Sequence, residues 1–119
     1  MVITGIGVVS PFGVGRETFW SAISRGQGGA RRLDDLDESV ACRVAAPVDG
    51  VTIDDVPAID GDDIWDPDYR ADPKRYSRAA LIAVIAAREA WNDAGLRVGE
   101  DGASVIIGSG GGGIDVGEK

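Results

Sequence analysis

Three apolar segments predict strands. Residues 2–9 are β-branched and apolar with little polar alternation, which is typical of a strand buried on both faces in a parallel sheet. Residues 103–107 have the same character, and a shorter strand is predicted at residues 42–48. Because helical patterns lie between these strands, the order of elements indicates an α/β fold.

Two helices are predicted. The first follows the break at residues 10–13 and ends at Gly26. Its predicted buried stripe consists of Phe19, Trp20, Ala22 and Ile23, with Arg16, Glu17 and Arg25 off the stripe. The second should begin after Asp72-Pro73, run from Lys74 to Ala94 and end at Gly95 in a left-handed cap.

The middle of the second helix is apolar on every side. Residues 79–87 are nine consecutive apolar residues, so this helix must be covered on more than one face. Three strands and two helices can hardly provide that cover. The chain is therefore interpreted as the front part of something longer.

Residues 34–72 are strongly acidic. They contain thirteen Asp or Glu residues and two bases, and apart from the strand at 42–48 they are predicted to form a solvated surface loop. Residues 60–66 have the acid density of a calcium loop, but Trp65 stands where that loop needs glycine and Ala71 where it needs an acid. No metal site is expected.

The composition of the chain excludes several kinds of binding and catalysis. A net charge of −8 disfavours nucleic-acid binding, because phosphate contacts need a clustered basic surface. The absence of histidine excludes Ser-His-Asp and Cys-His catalysis within these residues, and Cys42 is predicted to be a buried, inert thiol. With no membrane-spanning segment, no secretion signal and a single cysteine, a cytoplasmic location is expected.

Two glycine-rich turns and one basic cluster are candidates for binding. The G-x-G-x-x-S segment from Gly5 to Ser10 lacks the third glycine and the following helix of a dinucleotide site, so close backbone packing is the preferred interpretation. The glycines at 108–113 could hold an anion, but no phosphate-loop lysine follows, so a turn near a ligand is preferred. The bases are Arg70, Lys74, Arg75 and Arg78, which either serve a partner or balance the neighbouring acids.

Three segments together resemble one family. They are VITGIGVVSPFGVGRETFWSAI, DPKRYSRAALIAVIAAREAWNDAGL and SVIIGSGGGG. Their order and spacing resemble the N-terminal part of a β-ketoacyl-acyl-carrier-protein synthase over residues 2–30 and 72–114, with a looser match between. The resemblance implies a thiolase-like layered α/β fold, generally dimeric, of which residues 1–119 would form a partial domain, most of the first half.

The implied reaction is a decarboxylative Claisen condensation between an acyl thioester and malonyl-carrier protein, without a cofactor. The family's nucleophilic cysteine and two histidines lie later in the sequence, and Cys42 does not match the nucleophile motif. No catalytic residue is therefore expected in this chain. The alternatives are a catalytically inactive ketosynthase-like partner subunit and, more remotely, a stand-alone nucleotide-binding domain.

The resemblance implies two sets of site residues. Lys74 and Arg75 align with bases that dock the acidic acyl carrier protein. The residues implied to line the acyl pocket near the dimer interface are Gly108, Ser109, Gly110 and Gly111. Many long-chain members have isoleucine where this chain has Gly111. The acyl chain length, and the choice between fatty-acid and polyketide synthesis, stay open.

Overall fold

The computed structural model describes residues 1–56, 77–97 and 102–110, and these contain two helices and two small antiparallel sheets. The elements are β1 (Val9–Ser10), β2 (Gly13–Val14), α1 (Arg16–Ser24), β3 (Arg31–Arg32), β4 (Val44–Ala45), a 3-10 turn (Ile53–Asp55) and α2 (Arg78–Asp93). Neither helix in these ranges is long and apolar enough to cross a bilayer.

The β1–β2 hairpin leads directly into α1. Val9 pairs with Val14 and Ser10 with Gly13, and the buried Ser10 hydroxyl lies 3.3 Å from both the Gly13 carbonyl oxygen and the Phe12 amide nitrogen. Gly13 has φ +120°, a conformation that a residue with a side chain rarely adopts. The tight turn therefore requires the glycine.

The two long strand predictions are wrong for most of their residues. Residues 2–8 and 103–107 form no strand, and Ile106 is 96% exposed. A strand needs a neighbour that takes up its backbone hydrogen bonds. In the described residues strand pairing begins at Val9, preceded by one hydrogen bond from the Gly15 N–H to the Val8 carbonyl oxygen at 2.8 Å. The prediction at 42–48 is confirmed for Val44–Ala45, which pair with Arg31–Arg32.

The first helix confirms the predicted position but only part of the predicted stripe. Ala22 is buried and Phe19 half-buried, whereas Trp20 is 64% exposed and Ile23 is also exposed. The reason is that α1 packs mainly on the small β1–β2 hairpin, which covers only a narrow face. The helix ends before Gly26, whose φ of +70° fits the predicted stop.

The second helix is confirmed from Arg78 onward, since the predicted start at residues 72–76 lies outside the described residues. Ser77 caps it by accepting the Ala80 N–H at 3.1 Å. Gly95, with φ +68°, ends it as predicted. Along its apolar stretch Ile85 is fully buried, while Ala80 and Ala87 are exposed, so the described residues cover the helix only in part.

The core joins α2 to the acidic region. Val51, Val56 and Ile85 are its buried members; the half-buried residues around them are Val9, Val14, Val48, Ile53, Leu81 and Val84. The prediction of a solvated loop is therefore wrong for residues 51–56. The apolar side chains there are buried or half-buried while the acids stay exposed, and a capping box holds the turn: Thr52 N–H donates to Asp55 at 2.7 Å.

Candidate functional site

The predicted acyl-pocket residues lie in the open. Gly108, Ser109 and Gly110 follow the exposed segment 103–107 and are themselves exposed. A Cβ atom built on Gly108 or Gly110 would have no heavy atom within 4 Å. The described residues therefore do not enclose a pocket around this turn, and Gly111 lies outside them.

The predicted docking bases, Lys74 and Arg75, lie outside the described residues, and so does Arg70 of the same basic cluster. Arg78 is the described member of the basic cluster. Its guanidinium donates a hydrogen bond to the Val48 carbonyl oxygen. This residue therefore joins the start of α2 to the loop that carries part of the core.

Cys42 is exposed, so the prediction of a buried thiol was wrong. The strand predicted at 42–48 begins only at Val44, and Cys42 lies before it at the protein surface. Its sulfur is 3.7 Å from the Val44 carbonyl oxygen.

A polar cluster that sequence reasoning missed lies between α2, the start of α1 and residues 6–8. The two Glu89 carboxylate oxygens each accept one backbone N–H, from Val8 at 2.7 Å and from Arg16 at 2.8 Å. One Asp93 oxygen accepts the Ile6 N–H at 3.0 Å, and the other pairs with the Arg16 guanidinium. The two carboxylates thus connect three segments of the chain.

Glu89 supplies the N-terminal cap that α1 lacks in its own sequence. The N-cap residue of α1 is Gly15, which has no side chain to accept a hydrogen bond. Glu89 accepts the N–H of Arg16, the first helical residue, and places negative charge at the positive end of the helix dipole. The available sequence signal was two acids four residues apart at the end of a helix whose middle is apolar.

Asp93 and Arg16 stabilise each other's charged forms. The hydrogen bond from the Arg16 side chain, and then the one from the Ile6 N–H, lower the pKa of Asp93 below its ordinary value. The Asp93 hydrogen bond likewise raises the pKa of Arg16. Because Asp93 is ionised at neutral pH, it has no proton to donate there, and its lowered pKa makes it a weaker base than an ordinary aspartate.

A shallow groove lies beside this cluster. Its lining residues are Gly15, Arg16, Glu17, Glu89, Asn92 and Asp93. The cluster carboxylates already accept hydrogen bonds from the protein, and the described ranges contain no group of three or more side chains that could hold a metal ion. The cluster therefore connects structural elements.

Comparison of the sequence with known proteins gives a family match and several relatives. Residues 1–118 match the family model described as "Beta-ketoacyl synthase, N-terminal domain". The chain is 33% identical over 126 residues to 3-oxoacyl-[acyl-carrier-protein] synthase 2 of Coxiella burnetii, an alignment that covers 100% of the chain and 27% of the relative. Its namesake in Rhizobium meliloti is 33% identical over 128 residues, which cover 97% of the chain and 28% of the relative.

A further relative comes from polyketide synthesis. The chain is 34% identical over 97 residues to the tetracenomycin polyketide synthase ketoacyl synthase alpha subunit of Streptomyces glaucescens, with 81% of the chain and 20% of the relative covered. The chain thus spans about a quarter of the length of these curated relatives.

Proposed function

The chain belongs to the β-ketoacyl synthase family, and from that premise we propose that it is the N-terminal portion of a 3-oxoacyl-[acyl-carrier-protein] synthase. The observation that carries the proposal is the family match over residues 1–118. The similarity to relatives from both kinds of synthesis supports a role in making fatty acids or polyketides. Within that family these residues would form most of the first half of a thiolase-like fold, generally in a dimer.

The reaction proposed for the whole protein has two stages. A cysteine thiolate attacks an acyl thioester, forms a new thioester bond and releases the carrier thiol. Malonyl-carrier protein then loses carbon dioxide, and the resulting carbanion attacks the enzyme-bound acyl group to form the new carbon–carbon bond and free the cysteine. Residues 1–119 supply none of these catalytic side chains in the proposal. They supply framework, the carrier-docking bases and part of the acyl pocket.

The test uses the full-length protein with acyl- and malonyl-carrier protein. We expect a 3-oxoacyl product and carbon dioxide in equal amounts. A full-length protein that folds but makes no product, and that has glutamine or another residue in place of the nucleophilic cysteine, would instead support the alternative of an inactive partner subunit. Activity that appears only on addition of a second ketosynthase subunit would support the same alternative.

Charge reversal tests the carrier-docking bases in the full-length protein. We expect Lys74→Glu or Arg75→Glu to raise KM for the acyl carrier protein by at least about tenfold, because a base that contacts an acidic partner becomes repulsive. The kcat value should change little, and a small acyl thioester without carrier protein should react as before. The matched control is Arg25→Glu, which reverses one exposed charge directly after α1. Equal effects from all three variants would contradict a docking role.

A second variant tests the acyl pocket. Gly111 lacks the side chain that many long-chain members have at this position, so Gly111→Ile should fill space that the acyl chain uses. We expect the ratio of kcat/KM for long over short acyl substrates to change by at least about tenfold. Gly28→Ile is the control, since a Cβ at Gly28 meets no atom within 4 Å. An unchanged chain-length preference in the Gly111 variant would refute this role.

A further inference from the structure

The Glu89–Asp93 pair matches the backbone spacing of the segment that it binds. Four residues of α-helix rise about 6 Å, so Glu89 and Asp93 lie on one face about one turn apart. Two residues of extended chain advance about 6.6 Å, which separates the N–H groups of Ile6 and Val8 by nearly the same distance. One carboxylate oxygen therefore meets each N–H, at 2.7 Å for Val8 and 3.0 Å for Ile6.

Two glycines let this segment lie directly on the helix. A Cβ built on Gly7 would overlap the Ala86 carbonyl oxygen and lie 2.8 Å from the Ala90 amide nitrogen. A Cβ on Gly5 would overlap the Ala90 carbonyl oxygen and lie 2.8 Å from the amide nitrogen of Ala94. Both positions thus exclude any side chain, which gives the G-x-G part of the turn motif a use that needs no nucleotide.

We propose that Gly5, Gly7, Glu89 and Asp93 form a single latch that holds the N-terminal segment on α2 in one register and sets the position at which α1 begins. Only residues without a side chain fit against the helix at positions 5 and 7, so the glycines fix which residues face it. The carboxylates accept the N–H groups of Ile6 and Val8 and so fix the position of the segment along the helix. Because Glu89 and Asp93 also bind the backbone and the side chain of Arg16, the same two residues locate the first turn of α1.

The sequence around the latch permits no other register. A slip of two residues in one direction would place Val9 at the position of Gly7, and in the other direction it would place Ile3 at the position of Gly5. A slip of one residue would bring Ile6 against the helix backbone. Each alternative forces a branched side chain into space that a single Cβ cannot enter.

The Asp93 part of the latch depends on an ionised carboxylate and should weaken in acid. The segment at 5–8 and strand β2 contribute no titratable side chain, and the charged residues of α1 that line the groove beside the pair are Arg16 and Glu17. The lowered pKa of Asp93 means that its contribution is complete above the unfolded value of about 3.9. That contribution is lost as pH falls through the lower pKa of the folded state, whereas Arg16 stays charged throughout.

Amide NMR spectroscopy of the 119-residue chain tests the latch. At neutral pH we expect hydrogen-exchange protection of the Ile6, Val8 and Arg16 amides at least about tenfold above that of an unstructured peptide. The amide proton shift of Ile6 should follow the Asp93 carboxyl titration with a midpoint below 3.9. Unprotected Ile6 and Val8 amides in the unaltered chain would overturn the proposal, and so would a titration that appears at Gly5 and Gly7 instead.

A substitution at Glu89 tests the contribution of its carboxylate to the latch. Glu89→Gln keeps the shape of the side chain but replaces one acceptor oxygen by a donor, so protection at Val8 or Arg16 should fall at least about tenfold. Glu38→Gln removes an exposed carboxylate in the acidic region and should leave these amides within about twofold of their protection in the unaltered chain. Similar losses in both variants would show a general effect of charge and would contradict the latch.

Discussion

Replacing Gly7 with alanine should destabilise the protein by at least about 3 kcal/mol, the upper end of the usual cost of overpacking. The new methyl group would overlap the backbone carbonyl oxygen of Ala86 in the middle of α2. A flexible side chain could rotate away from such a contact, but a helical carbonyl is fixed by its own hydrogen bond. The N-terminal segment must therefore move off the helix, and the hydrogen bond from Val8 to Glu89 is lost with it.

Urea unfolding, monitored by circular dichroism, measures this loss in the free energy of unfolding. The control is Gly28→Ala, because a Cβ at Gly28 meets no heavy atom within 4 Å. That change should be neutral or slightly stabilising, since alanine reduces the conformational freedom of the unfolded chain. Equal stability of the Gly7 and Gly28 variants would show that residues 5–8 do not lie against α2.

Replacing Ile85 with alanine should lower the free energy of unfolding by about 2 to 5 kcal/mol. Ile85 is 0% exposed and packs with Val51 and Val56, so the substitution removes buried methyl groups and leaves a cavity between α2 and the 3-10 turn. Several core neighbours are only half-buried and can move inward. We therefore expect a cost in the lower part of that range.

The matched control in the same denaturation experiment is Ile106→Ala. Ile106 is the same residue type and is 96% exposed, so its truncation should change stability by no more than about 0.5 kcal/mol. A similar cost at both positions would mean that the core is not organised around Ile85. The comparison also tests the exposure of residues 103–107, which the apolar pattern alone had assigned to a buried strand.

Local sequence determined the helices and their ends. The helical spacing of α1, its end at Gly26 and the end of α2 at Gly95 depend on side-chain periodicity and on the freedom of glycine to adopt positive φ. These are properties of residues close together in the chain, so they could be predicted before any packing was known. The family resemblance could also be recognised at that stage, because it depends on the order of motifs and is supported by the match over residues 1–118.

Which side chains are buried and which segments pair as strands depended on residues far apart in the chain. The apolar pattern at 2–9 could not distinguish a strand in a sheet from a segment held on a helix, because both tolerate the same side chains. Residues 51–56 were predicted to be solvated since acids dominate the region, yet Val51 and Val56 pack against Ile85. The acyl-pocket and docking roles of Gly111 and Lys74 remain predictions.

By itself, the sequence determined the two helices, the glycines at which they end, the break at residues 10–13 and the family, since each depends on local spacing or on motif order. Only the tertiary structure decided what the first glycines and the last acids of α2 do. Glu89 and Asp93 bind N–H groups that lie 81 and 87 residues earlier in the chain. No local pattern encodes such a partner, because the spacings match only after the helix and the N-terminal segment lie side by side.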